Sequence, residues 1–256
     1  MPAWLFLGGL AAGASALAAR GAYRRRHQRA AADACGLVPA PDLTHVSTAL
    51  QRTALWCLAD GGFERRVVTG IVTRGQADIA ITAFDLETLR ERRGEWAWLP
   101  VEPPFRIGGT VSVVVCELDR KLAHVLLKRA GSGDRLADDD AIERVGHVAK
   151  NFRDRLGVAR SYAAELPEPL PAAAADVALP DGWRAYTRDP AGLAALGLAA
   201  TLARADRRDL VIELVDDVVV VYPAALDVRG PDALADLTET ALAIADGVRA
   251  AAPAMR

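Results

Sequence analysis

The chain has 256 residues, of which 52% are hydrophobic and 25% charged, and it carries a formal net charge of -2. That balance suits one or two folded domains and argues against global binding to nucleic acid, which calls for a strongly basic chain. Its three cysteines, Cys35, Cys57 and Cys116, form no C-x-x-C, which argues against a disulfide framework and a structural zinc site.

From the N-terminus, Ala3 to Ala19 is an uncharged run of Ala, Gly and Leu with Trp4 and Phe6. Seventeen helical residues span roughly 25 Å, and Trp4 and Tyr23 lie far enough apart to sit at the two interfaces of a bilayer. Arg20, Arg24, Arg25, Arg26 and Arg29 follow the run. A basic flank on that side holds the rest of the chain in the cytoplasm, so residues 1–29 read as a single inner-membrane anchor with the lipid bilayer as partner. Ala14-Ser15-Ala16 fits a signal-peptide cleavage site, and export after cleavage is the rival reading, but the positive charge lies on the wrong side for it. Gly9 and Gly13 form a G-x-x-x-G, a spacing that permits self-association in lipid.

Residues 30–43, with Pro39 and Pro41, read as a tether. The lobe expected over 44–166 opens with helical spacing at Val46, Leu50, Ala54 and Leu58. Two strands, 66–73 and 78–86, flank Arg74-Gly75-Gln76. Two more, 107–118 and 122–128, flank a turn at Asp119-Arg120-Lys121. Residues 141–156 have a helical face formed by Ile142, Val145, Val148, Ala149 and Phe152. A Pro/Ala-rich linker covers 167–182, and a helix–hairpin–helix lobe covers 183–252. In that lobe Asp189 caps a helix opened by Pro190 and running to about Ala205. Strands 210–215 and 218–222 are separated by Asp216-Asp217, the weaker form of a hairpin signal. Pro231 precedes a last helix with the stripe Leu234, Leu237, Ala241, Ile244 and Val248. The fold class expected is α+β: an N-terminal transmembrane helix, then a mainly antiparallel sheet packed with helices.

Candidate chemistry is sparse. Asp138, Asp139, Asp140, Glu143 and His147 form the densest cluster, and Glu143 and His147 share a helix face at i,i+4. Asp140, Glu143 and His147 are the metal candidates; the same residues make an ordinary acidic helix start and ion-pair face, and no H-E-x-x-H accompanies them. Cys57, Cys116, His45 and His124 are types that build nucleophilic sites, although nothing in their spacing unites them. Gly108-Gly109 and Gly131-Ser132-Gly133 match no phosphate-loop pattern and read as turns or bulges. Trp96, Trp98 and Phe105 read as core or as a partner patch. No catalytic residue and no cofactor is assigned.

Phe84-Asp85 after an alternating strand, Gly109-Thr110-Val111 in a further strand, and the strand, strand, helix unit from Leu210 to Val248 together form a layout behind the N-terminal span. That layout resembles single-span bacterial membrane proteins carrying a domain of unknown function. The resemblance implies a bacterial membrane location and lends no activity, cofactor or catalytic residue. Many such proteins have two spans, and this sequence has one uncharged apolar run of that length.

The expected role is binding or scaffolding at the membrane; a membrane-tethered enzyme centred on Asp140, Glu143 and His147 is the alternative. If that cluster is a surface face, replacing Glu143 and His147 together by Ala leaves the metal content of the purified protein unchanged by elemental analysis. Stoichiometric metal lost in the double variant would reverse that reading.

Overall fold

The computed structural model describes residues 36–40, 62–75, 77–91, 105–129, 177–205, 210–223 and 233–250, with single positions 19, 22, 26, 29, 32, 33, 49, 50, 52, 53 and 55. Six strands form one antiparallel sheet: β1 (Val38–Pro39), β2 (Gly62–Arg74), β3 (Ala77–Glu91), β4 (Phe105–Arg129), β5 (Trp183–Thr187) and β6 (Leu210–Pro223). The helices whose bounds lie among the described residues are α1 (Pro190–Ala195), α2 (Ala199–Arg204) and α3 (Ala233–Ala250). This is the expected α+β class with a mainly antiparallel sheet. The apolar run expected to span the membrane lies outside the described residues, except Ala19; among the described residues no helix is long and apolar enough to cross a bilayer.

β4 organises the sheet. Its first half pairs with β3, from Glu91–Phe105 to Ile81–Cys116, and its last five residues pair with β5. β6 pairs with both halves of β4. Strands assigned by sequence to two lobes therefore share one ladder. Both faces of the sheet are buried along β4 and β6, which is why these strands read as runs of Val and Leu without strict alternation. One face, with Ile79, Ile81, Ala83, Val114, Cys116, Leu127, Ile212 and Val219, clusters with apolar residues of α1, α2 and α3. The opposite face, with Phe84, Leu86, Val111, Val113, Val115, Leu126, Val211, Val218 and Val220, clusters with Ala49, Leu50 and Leu55.

Two expected turns are not reversals. Asp119-Arg120-Lys121 lies inside β4, and Asp216-Asp217 lies inside β6. They face one another across the ladder. Glu117 pairs with Val218 and Leu122 with Asp216, so four residues of β4 stand opposite the single Asp217. A second irregularity follows before Val125–Leu214. Asp216 has φ 52°, a conformation that Asp tolerates better than most non-glycine residues. The polar residues thus create bulges, which bend strands without ending them. The strands continue because the residues on each side of the bulge, 211–214 and 218–221, pair with one neighbour, β4.

Smaller irregularities follow the same logic. Between Arg65 and Val68, β2 carries one more residue than β3, and Arg66 has φ 55°. Gly108 is the extra residue between Gly109–Thr88 and Ile107–Leu89, so Gly108-Gly109 is a strand irregularity as expected. The β2–β3 hairpin turns at Gly75, φ 62°. The helix expected from Asp189 to Ala205 is divided: Asp189 Oδ1 accepts the Gly192 N–H at 2.9 Å and Pro190 opens α1, but Gly197, φ 59°, ends it before α2 begins. In the helix expected over Thr44 to Leu58, Ala49, Leu50 and Leu55 are helical while Arg52 and Thr53 lie in a turn and a bend.

The segment expected as a tether is built into the domain where it is described. Ala32 is helical and buried, the Leu37 N–H donates to Ala32 O at 2.7 Å, and β1 pairs with Val68 and Thr69 of β2. The 141–156 helix and most of the 167–182 linker lie outside the described residues.

α3 closes the first face. Leu234, Leu237, Ala241, Ile244 and Val248 are all buried, as their spacing predicts, and Leu242 and Ala245 widen the stripe. A Cβ on Gly247 would meet Thr201 Oγ1 at 2.6 Å, so this glycine permits the close approach of α2. Arg74 pairs with Glu239, and Arg249 donates to the carbonyls of Asp78 at 3.0 Å and Glu117 at 3.4 Å. Truncating a buried leucine costs about 2–5 kcal/mol through lost transfer energy and the cavity left behind. Leu237→Ala should therefore lower the melting temperature of the detergent-solubilised chain clearly, whereas exposed Asp236→Ala should change stability by less than roughly 0.5 kcal/mol. Equal, small effects would show that α3 is not packed as described.

Candidate functional site

The bend brings together a set of buried and part-buried ionisable side chains. Alternation along β4 puts His124 and Lys128 on the same side as Leu126, and alternation along β6 does the same for Glu213, between Val211 and Val215. Glu213 is fully buried. Its Oε1 lies 2.5 Å from His124 Nε2, and its Oε2 accepts the Tyr222 hydroxyl at 3.3 Å. Glu213 and Tyr222 are nine residues apart in one strand, which a straight strand would separate by roughly 30 Å. Their contact measures how sharply β6 curls at Asp216.

Neighbouring groups tie this cluster to β5. The Thr187 hydroxyl donates to His124 O at 3.0 Å and accepts the Asp189 N–H at 3.1 Å. Lys128, only 4% exposed, holds its ammonium 5.5 Å from the Tyr186 ring centroid, a favourable cation–π geometry. Arg52 pairs with Asp216 at the bulge itself. The cluster thus joins β4, β5, both arms of β6 and the segment around Arg52.

A histidine–carboxylate pair is one half of a nucleophilic site; the other half is a thiol or hydroxyl facing the ring. Among the described residues none takes that place. Cys116 lies on the other face of the sheet, in the cluster covered by the helices. Burial, reinforced by the nearby Asp246 charge, pushes its thiol up to about 12, so it stays protonated and unreactive. Its reading as core holds, and it does not join His124. His45 and Cys57 lie outside the described residues.

A second polar set crosses three strands. The Asp85 carboxylate, 6% exposed, accepts Arg66 Nε at 3.0 Å and Nη2 at 2.5 Å through Oδ2, and the Ser112 hydroxyl at 2.8 Å through Oδ1. Asp85 and Ser112 are direct partners in the β3–β4 ladder. The β2 bulge turns Arg66 toward them. This set holds the sheet at the end where β1 attaches.

Of the residues singled out in the sequence, Arg26 and Arg29 are helical and exposed. Trp4, Arg20, Tyr23, Arg24, Arg25, Gly9 and Gly13 lie outside the described residues, as do Asp140, Glu143, His147, Trp96, Trp98 and Gly131-Ser132-Gly133. The side chain of Phe105 does too. Among the described residues no three His, Cys, Asp or Glu converge as metal ligands. The bend cluster escaped sequence reading because its members are far apart in the chain. The one visible signal was Glu213, a carboxylate inside an otherwise apolar run of β-branched residues.

No family model matches the chain, and no curated protein matches it. Among solved structures it is similar to the crystal structure of the mycobacterial trehalose monomycolate transport factor A, TtfA. The match has 14% sequence identity and a TM-score of 0.50, and it covers 93% of this chain and 99% of that chain. At this identity the likeness is one of fold, over nearly the whole length of both chains.

Removing one partner of a buried charged group leaves that group unpaired and costs more than the pair contributes. Tyr222→Phe should cost about 1 kcal/mol in chemical denaturation. His124→Ala should cost more, because it takes the imidazole partner from a fully buried side chain and leaves a cavity beside it. The double change His124→Phe with Glu213→Leu should recover part of that loss. A double variant less stable than His124→Ala would show that the pair contributes more than mutual compensation.

Proposed function

We propose that this protein is a bacterial inner-membrane factor with one N-terminal anchor and a cytoplasmic α+β domain, acting in transport by binding partners rather than by catalysis. The observation that carries this reading is the fold shared with a transport factor over 93% of the chain. The uncharged run Ala3–Ala19 and the arginines after it supply the membrane location and orientation. The chemistry of the bend cluster supports a structural use: Glu213 is sealed in the sheet, and its oxygens meet His124 and Tyr222. A scaffold needs such a fixed shape, and its specificity lies on its surface.

The reading is tested in the cells that make the protein. Depleting it should shift a lipid species from the cell surface to the inner membrane, seen by metabolic labelling followed by separate surface and whole-cell extraction. Restoring the full chain should reverse the shift. Restoring a chain without residues 3–19 should not, and that product should leave the membrane fraction on alkaline carbonate washing. An unchanged lipid distribution on depletion would remove the transport reading; full rescue by the shortened chain would remove the anchor.

A further inference from the structure

We infer that the edge of the sheet formed by β1 and β2 is a second membrane-contacting surface, which lays the domain against an anionic bilayer beside its anchor. The inference rests on the anchor proposed above and adds a contact made by the folded domain.

Three observations lead to it. Val38, 59% exposed, and Ile71, 70% exposed, are the large hydrophobic residues that stand open to solvent among the described residues. They are neighbours: Val38 pairs with Thr69, and Ile71 is two residues further along β2 on the same face. Together they make one aliphatic patch at the edge of the sheet, whereas the other valines and isoleucines whose side chains are described are buried or partly buried.

The second observation is the attachment. Ala32 is buried in the core cluster that includes Leu37 and Val68, and the Leu37 N–H is bonded to Ala32 O. Leu37 lies so close to Gly70 that a Cβ there would meet its Cδ2 at 2.9 Å. The chain arriving from the anchor is therefore fixed to the same edge that carries the patch. Fixing it removes the slack that a free tether would give.

The third is charge. Arg26 and Arg29 are helical and exposed, and they precede Ala32 by six and three residues. Even fully extended, six residues span at most about 22 Å, so both charges stay in the neighbourhood of the buried Ala32. Basic groups that meet anionic headgroups beside aliphatic groups that enter the boundary below them are the combination by which protein surfaces bind such membranes.

The test uses the full chain, with Cys35→Ser and Cys57→Ser, reconstituted in vesicles of phosphatidylcholine and phosphatidylglycerol. Cys116 is buried and stays unlabelled. A single bimane fluorophore is placed through Ile71→Cys, Val38→Cys or, as a control at the exposed bend, Asp217→Cys. Lipids bearing a headgroup nitroxide should quench the fluorophore at 71 and 38 severalfold more than at 217. Replacing phosphatidylglycerol by phosphatidylcholine, or introducing Arg26→Glu with Arg29→Glu, should reduce that difference. If the chain resists carbonate extraction but all three positions are quenched alike, the edge does not touch the bilayer and the anchor stands. If position 71 instead forms disulfides between chains and is not quenched, the patch is covered by a second copy and the inference falls. If carbonate strips the chain from the vesicles, the anchor reading falls and this inference falls with it.

Discussion

A curled pair of strands sets the form of this domain. β4 and β6 run side by side, and both are interrupted at the same level by polar residues. Four residues of β4 opposite one of β6 cannot lie flat, and a non-glycine residue at positive φ turns β6 at that point. The curl brings Tyr222 back over Glu213, and that contact in turn holds the curl closed. The fully buried carboxylate is tolerated because a histidine and a phenol are delivered to it by the bend that it stabilises.

The rest of the sheet follows from where the curl leaves its edges. β3 and β5 take successive stretches of β4, so a chain whose middle is rich in proline and polar residues returns to one sheet. α1, α2 and α3 then close one face. Arg74 and Arg249 fasten α3 to the β2–β3 hairpin and to the start of the bend, through a carboxylate and backbone carbonyls. Such partly exposed ion pairs contribute modestly to stability; their effect is to fix how the helix lies across strands whose apolar surface alone would allow it to slide.

This arrangement bears on function through shape. The buried ionisable residues at its bend support that bend, and Cys116 is held protonated in the core. What the domain presents outward at the β1–β2 edge is an aliphatic patch, Val38 and Ile71. A rigid surface carried close to a bilayer is the physical basis on which a binding role at the membrane is proposed.

Much of this was legible in the sequence, because local patterns fix local structure. The apolar stripe of α3 predicts its buried face, Asp189-Pro190 predicts the start of α1, and the alternation around Arg74-Gly75-Gln76 predicts the β2–β3 hairpin. Each depends on residues within a few positions of one another. The bend does not. Asp119-Arg120-Lys121 and Asp216-Asp217 each have the composition of a turn, and only their placement opposite one another turns two reversals into one pair of bulges. The same holds for the cluster of His124, Glu213 and Tyr222, and for Arg66, Asp85 and Ser112, whose members meet only when strands are paired in one register. Local sequence determined which segments become strands and helices; the pairing of distant strands decided where the chain bends, which polar groups can be buried, and which face is left outward, because those outcomes depend on partners that no local pattern names.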